Sequence, residues 1–206
     1  MFKTISENTQ AEIVEKKSKF IANVFYIESA EQADNIVKEV KKKYFDARHN
    51  CYAYSVFTNE GIVNRFSDDG EPSGTAGAPM LNILTSQNLS NVLVIVTRYF
   101  GGILLGTGGL IRAYTGAVQE ALNNINMIDK DLGLVVKLDV LYQDFEKAKY
   151  YLKQKEVKII NSEYSENVSV FIEITKEKLK SLEEDKNNLN FNIINQEIIK
   201  EKYIEI

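Results

Sequence analysis

The sequence predicts a two-domain α+β protein, on three observations. Ten of the 11 glycines, both prolines and all four arginines precede a compositional break near Leu122–Asp131. Such a break reads as a domain boundary with Asn123-Asn124-Ile125-Asn126 as the hinge, giving domains 1–128 and 129–206. In the first part, the unbroken apolar run Asn91–Thr97 (NVLVIVT) reads as a strand buried on both faces. The second part alternates strand and helix patterns in the order βαββαβ, the ferredoxin-like arrangement.

In chain order, Ala11–Glu15 and Lys19–Ile27 read as strands. Ser29–Tyr44 reads as an amphipathic helix, with Ser29 as its cap and Glu31 in its first turn. Asn50–Thr58 is a strand rich in aromatic and small residues. Ser73–Thr85 is a helix entered through a Gly/Pro turn, and Gly108–Asn123 is a helix entered through a glycine-rich loop. In the second part, strands are expected at Leu132–Leu141, Val157–Ser162, Val168–Ile174 and Phe191–Ile199. Helices are expected at Gln143–Gln154 and Lys176–Asp185.

Composition excludes several classes. With 44% hydrophobic residues, the 206-residue chain has material for a full core, and its net charge of −4 describes an ordinary soluble surface. No long stretch lacks charge, and the N-terminus has no apolar export segment, so a cytoplasmic protein with no membrane partner is expected. One cysteine and one histidine rule out an intramolecular disulfide and leave too few ligands for a conventional zinc site. The acidic balance gives no DNA-specific signal; any anion binding must come from a local patch.

Two blocks concentrate the chemistry. The second, Arg98–Tyr114 (RYFGGILLGTGGLIRAY), places five glycines within nine residues between a buried strand and a helix. Free N–H groups at a helix start, with the positive end of its dipole, favour an anion. Arg98 and Arg112 flank the loop and can close on a phosphate with bidentate geometry. The expected anion or nucleic-acid site comprises Arg48, His49, Arg98, Gly101, Gly102, Gly106, Thr107, Gly108, Gly109 and Arg112. Tight strand-to-helix packing is the alternative use of the same glycines. The loop is neither a P-loop nor a dinucleotide fingerprint, because Leu110 follows Gly109 and Ile111 stands where a third glycine is needed.

The first block, Ser67–Gly77 (SDDGEPSGTAG), clusters Asp68, Asp69 and Glu71, which can act as acid and base or hold Mg²⁺. An ordinary Asp-Asp-Gly turn before a helix is the competing reading. His49 and Cys51 share one side of a strand, as a nucleophile pair or as packed core. Tyr52, Tyr54, Tyr99 and Tyr114 are expected in the core more than as base-stacking platforms.

Arg48-His49 with Cys51, then SDDGEPSGTAG, then RYFGGILLGTGGLIRAY, resemble the IMPACT/YigZ family, and the resemblance to its bacterial two-domain members runs over the whole chain. It implies an N-terminal domain with the fold shared by a ribosomal small-subunit protein and domain IV of elongation factor G. It likewise implies a C-terminal domain similar to elongation factor G domain V. Eukaryotic members carry a further interaction domain, whose partner is not expected here. Some members have been labelled proline dipeptidases, but this sequence shows no dimetal ligand set. RNA or ribosome binding that regulates translation, without a cofactor, is the expected function. The rival is an enzyme acting on a small phosphorylated ligand, with Asp68, Asp69 or Glu71 as acid–base groups or Mg²⁺ ligands.

Overall fold

A computed structural model describes residues 1–58 and 60–206. Backbone contacts divide the chain into two units, Phe2–Asp129 and Lys130–Ile206 with Met1.

The first unit carries β1 (Phe2–Ile5), β2 (Thr9–Glu15), β3 (Ser18–Tyr26), α1 (Ala30–Lys43), β4 (His49–Thr58), β5 (Gly61–Ser67), α2 (Gly77–Ser86), β6 (Val92–Tyr99) and α3 (Gly106–Asn123). An antiparallel sheet runs in the order β2-β3-β6-β4-β5. Strand β6 lies at its centre, and period-2 alternation explains its unbroken apolar sequence. Val92, Val94 and Val96 face a core completed by Met80 and Leu84 of α2 and Leu110, Tyr114 and Val118 of α3. Leu93 and Ile95 face the opposite core, completed by Val37 and Val40 of α1 and Tyr54 and Val56 of β4. Helix α1 begins as its sequence predicts: Ser29 Oγ accepts the Gln32 N–H at 3.1 Å.

Two elements differ from expectation. Helix α2 starts at Gly77, not Ser73, because Pro72–Thr75 closes a separate turn in which the Thr75 N–H donates to the Pro72 carbonyl at 3.1 Å. Strand β5 was not expected; Gly61–Phe66 is exposed throughout, so it shows no buried alternation.

The second unit contains β7 (Met127–Val140, which begins in the first unit), α4 (Phe145–Gln154), β8 (Lys158–Tyr164), β9 (Val168–Thr175), α5 (Lys176–Asp185) and β10 (Ile193–Glu205). Its antiparallel strands run β10-β7-β9-β8. Leu134, Val136, Leu138 and Val140 of β7 and Val168, Val170, Ile172 and Ile174 of β9 pack with Ala148 and Leu152 of α4 and Leu179 and Leu182 of α5. This is a βαββαβ unit, so the molecule is a mixed α+β chain of two units. No helix of the described residues is long and apolar enough to cross a membrane.

Candidate nucleic-acid interface

The residues singled out by sequence gather at one end of the first sheet. Phe20, Arg98 and His49 are neighbours across β3, β6 and β4. Alternation places Arg98 on the face of Val92, Val94 and Val96, beneath α2 and α3. A guanidinium there needs a carboxylate, and the turn after β5 supplies one. Glu71, its side chain 3% exposed, accepts from Arg98 Nη1 at 2.7 Å and from the Tyr114 hydroxyl of α3 at 2.8 Å. The guanidinium carbon lies 5.5 Å from the Phe20 ring centroid and 5.6 Å from that of Phe100. Arg98 is 7% exposed and is therefore an interior ion-pair partner, not a surface phosphate clamp. The expectation that Arg98 and Arg112 close together on an anion is corrected on this point.

The three carboxylates of the acidic block diverge. Asp68 accepts the backbone N–H groups of Gly74 at 2.8 Å, Ala76 at 3.0 Å and Gly77 at 2.8 Å, and so caps α2 from a distance. Burial works to raise the Asp68 pKa, but the hydrogen bonds from Gly74, Gly77 and Ala76 outweigh it and hold the carboxyl below its ordinary value. Asp69, with φ of 44°, accepts from Lys41 Nζ and from the Asn50 N–H at 2.7 Å. Glu71 turns into the interior. Each is occupied by donors of the fold, so the geometry brings no pair of them to a common substrate or Mg²⁺ position. Among the described residues, no three His, Cys, Asp or Glu groups converge as metal ligands.

Cys51 and His49 share a face as expected, but their hydrogen bonds go to different partners. The Cys51 thiol donates to the Asp68 carbonyl at 2.9 Å and lies 3.3 Å from the Tyr114 hydroxyl. Burial pushes its pKa up to about 12; the Tyr114 hydrogen bond opposes this, and the charges of Glu71, Asp69 and Asp68 add to it. Such a thiol is not an activated nucleophile. His49 Nδ1 donates to the Asp69 carbonyl at 2.9 Å, and its Nε2 lies 4.0 Å from Glu71. Tyr54 and Tyr114 are fully buried, while the Tyr99 hydroxyl donates to Asp46 at 2.8 Å.

The glycine loop sits above this interior cluster. A Cβ on Gly101 would fall 2.0 Å from the Lys17 carbonyl carbon, so the loop lies directly against the β2–β3 turn. The Gly101 N–H donates to the buried Ser18 Oγ at 3.1 Å. Gly102, Gly106, Thr107 and Gly108 are exposed, whereas Gly109 is buried beside Leu105. No side chain caps α3, so its first-turn N–H groups, on the exposed residues Gly106, Thr107 and Gly108, have no side-chain capping acceptor. Arg112 is exposed and folds back along the helix: a Cβ on Gly108 would lie 3.6 Å from its Nη1. Arg48, immediately before β4, is exposed at the same end of the sheet.

Among the described residues, Arg48, Arg112, Lys16 and Lys17 make no ion pair or side-chain hydrogen bond, while Lys19 pairs with Glu12 at 3.1 Å and Lys41 with Asp69. Asp68, Asp69 and Glu71 are satisfied by donors of the fold, whereas these four cations and the exposed Glu15 beside them are unpaired among the described residues. Lys16 and Lys17 were missed by sequence reasoning. No local signal marked them, because Lys-Lys is not a preferred two-residue hairpin sequence.

The family profile described as the Impact N-terminal domain matches residues 16–122, from the two-lysine turn to the end of α3. The chain belongs to the IMPACT family. A second profile, a domain of unknown function (DUF1949), matches residues 138–185. The IMPACT family member YvyE of Bacillus subtilis is 40% identical over 165 residues, covering 80% of this chain and 76% of that protein. The IMPACT family member YigZ of Escherichia coli is 40% identical over 150 residues, covering 72% of this chain and 74% of that protein. A crystal structure of a hypothetical protein, 33% identical, aligns with a TM-score of 0.62 over 94% of this chain and 97% of that one. The interior cluster and the glycine loop both lie inside the matched Impact N-terminal domain.

Proposed function

We propose that this IMPACT family member is a cytoplasmic RNA-binding protein that acts in translation, on the ribosome or on RNA engaged with it. Its first unit holds the phosphate backbone at the open end of the β2-β3-β6-β4-β5 sheet. The observation that carries this reading is the charge arrangement. Arg112 stands unpaired beside the uncapped first turn of α3 and Arg48 stands unpaired at the same end of the sheet, while Asp68, Asp69 and Glu71 are turned away onto donors of the fold. Uncapped helix N–H groups, the helix dipole and arginine forks all match the chemistry of a phosphate. A chain of net charge −4 binds polyanions only through such a local patch. The fold that the family resemblance implies, that of elongation factor G domains IV and V with the second unit as the ferredoxin-like one, points the same way. The glycine loop is the approach surface, since Gly102, Gly106 and Gly108 put no side chain between ligand and backbone.

The test is binding of the full chain to purified ribosomes and to single-stranded RNA across about 50 to 200 mM salt. Affinity should fall steeply with salt. Arg48→Ala with Arg112→Ala should weaken binding to all sequences alike and make the log–log salt slope shallower by about 1.4, at about 0.7 per lost single-strand phosphate contact. Absence of salt-sensitive binding at the lowest salt would overturn the reading.

A further inference from the structure

Strands β2 and β3 pair from Thr9↔Val24 to Glu15↔Ser18, leaving Lys16-Lys17 as a two-residue hairpin loop. Both lysines have positive φ, 44° and 66°. Positive φ at both central positions is the type I′ combination, which Asn-Gly or Asp-Gly adopts readily. A lysine there brings its Cβ against the following carbonyl oxygen. The fold thus holds two long cationic side chains where local backbone preference favours small residues.

The turn is also fixed in place. It abuts Gly101, whose N–H bonds to Ser18 Oγ. Helix α3 crosses the same hairpin. A Cβ on Gly116 would lie 3.6 Å from Ile13 Cδ1, the Tyr114 ring meets that of Phe20 at 5.2 Å, and Ile13 is paired with Phe20. Four residues before Gly116, Arg112 begins the stretch that leads back to the first turn of α3, at the end of the hairpin that carries the lysines. Lys16 and Lys17 are exposed and unpaired among the described residues. Glu15, exposed at the base of the turn, offsets one of these charges, and Arg112 adds another cation.

We infer that the Lys16-Lys17 turn is a second wall of the anion site: a rigid two-lysine clamp that grips the sugar–phosphate backbone of single-stranded RNA opposite the first turn of α3. The strained backbone is retained because it presents both ammonium groups from a turn that cannot swing away from the glycine loop. The inference rests on the RNA-binding reading above and adds residues that it does not require.

The experiment uses the full chain and a fluorescein-labelled oligouridine of about 16 nucleotides, titrated at several salt concentrations. Lys16→Asn with Lys17→Gly installs the preferred turn sequence and removes both charges. It should raise the melting temperature by a few degrees. It should also weaken binding and make the salt slope shallower by about 1.4. Lys16→Arg with Lys17→Arg keeps the charges and should keep the slope. If wild type binds and the Arg48/Arg112 variant loses affinity, while the Asn-Gly variant binds with an unchanged slope, the clamp is overturned and the RNA-binding reading stands. If wild type shows no salt-sensitive binding, both fall. A melting temperature that drops in the Asn-Gly variant overturns the argument that the turn is held against its local preference. Equal retention of polyglutamate at the same salt would assign the surface to acidic protein and overturn the RNA clamp.

Discussion

Replacing Glu71 by alanine tests whether the acidic block is architecture. In the wild type, Glu71 Oε1 takes both Arg98 Nη1 at 2.7 Å and the Tyr114 hydroxyl at 2.8 Å, with the two charged side chains 3% and 7% exposed. Removing the carboxylate leaves a guanidinium beneath α2 and α3 with no counter-charge and removes the acceptor that Tyr114 now uses. Breaking one side of a buried ion pair costs about 3–5 kcal/mol. Against a typical stability of about 5–15 kcal/mol, that is a large fraction of the total. Glu71→Gln keeps the shape and an acceptor oxygen and should cost about 1.5–3 kcal/mol, the range of a hydrogen bond to a charged group. Glu71→Leu combined with Arg98→Met removes both charges and should cost far less than the sum of the single changes, since apolar replacement of a whole buried pair is often neutral. Urea unfolding of each variant, with the single thiol of Cys51 as a reporter of opening in the first unit, gives these differences directly. A loss below about 1 kcal/mol in Glu71→Ala, or a double variant as unstable as the summed singles, would refute the buried-pair argument.

Two further outcomes follow from the same cluster. Asp68 is held below its ordinary carboxylate pKa, so its contribution is fully present above the unfolded value and is lost as pH falls through the lower folded value. Asp68→Asn should therefore cost about 0.5–2 kcal/mol at neutral pH, the range for loss of a helix cap, and the difference from wild type should vanish in strong acid when the two are unfolded in parallel. With its pKa pushed up to about 12, Cys51 should react with a soluble disulfide reagent only through opening of the first unit. The native reaction should show no plateau near neutral pH, and a rapid stoichiometric reaction of folded protein at pH 7 would contradict the buried geometry.

How much could be read from the sequence depended on whether the deciding partner was near in the chain. Strand β6 was legible because burial on both faces makes every position apolar from Val92 to Val96, and α1 because Ser29 caps it three residues from its partner. The start of α2 was not, because its cap is Asp68, eight and nine residues upstream of the Ala76 and Gly77 N–H groups it receives. Strand β5 was invisible because Gly61–Phe66 is exposed and leaves no alternation. The role of Arg98 needed a contact with Glu71 across 27 positions. The parity of Val92, Val94, Val96 and Arg98 did hold a hint, since it places the arginine on a helix-covered face where a lone charge is untenable. Lys16-Lys17 carried no local turn signature, because its backbone conformation is imposed by strand pairing and by contact with Gly101.

The interior cluster and the surface patch are connected through the elements they share, and this links the acidic turn and the glycine loop without invoking catalysis. Arg98 is the penultimate residue of β6, and Phe100-Gly101-Gly102 follow directly after Tyr99, so the chain enters the glycine loop one residue beyond a side chain fixed by Glu71. Tyr114 lies two residues beyond Arg112 on α3, so the helix bearing the exposed arginine is tied by its hydroxyl to the same carboxylate. One buried oxygen of Glu71 therefore sets both ends of the loop that spans Gly101 to Gly109. An acidic side chain used in this way contributes to anion binding only by fixing where its cationic neighbours stand. On that account Glu71→Gln, although milder than Glu71→Ala in stability, should still weaken RNA binding at a temperature where the protein remains folded. Normal binding by a folded Glu71→Gln variant would separate the interior cluster from the surface and leave it a purely structural pair.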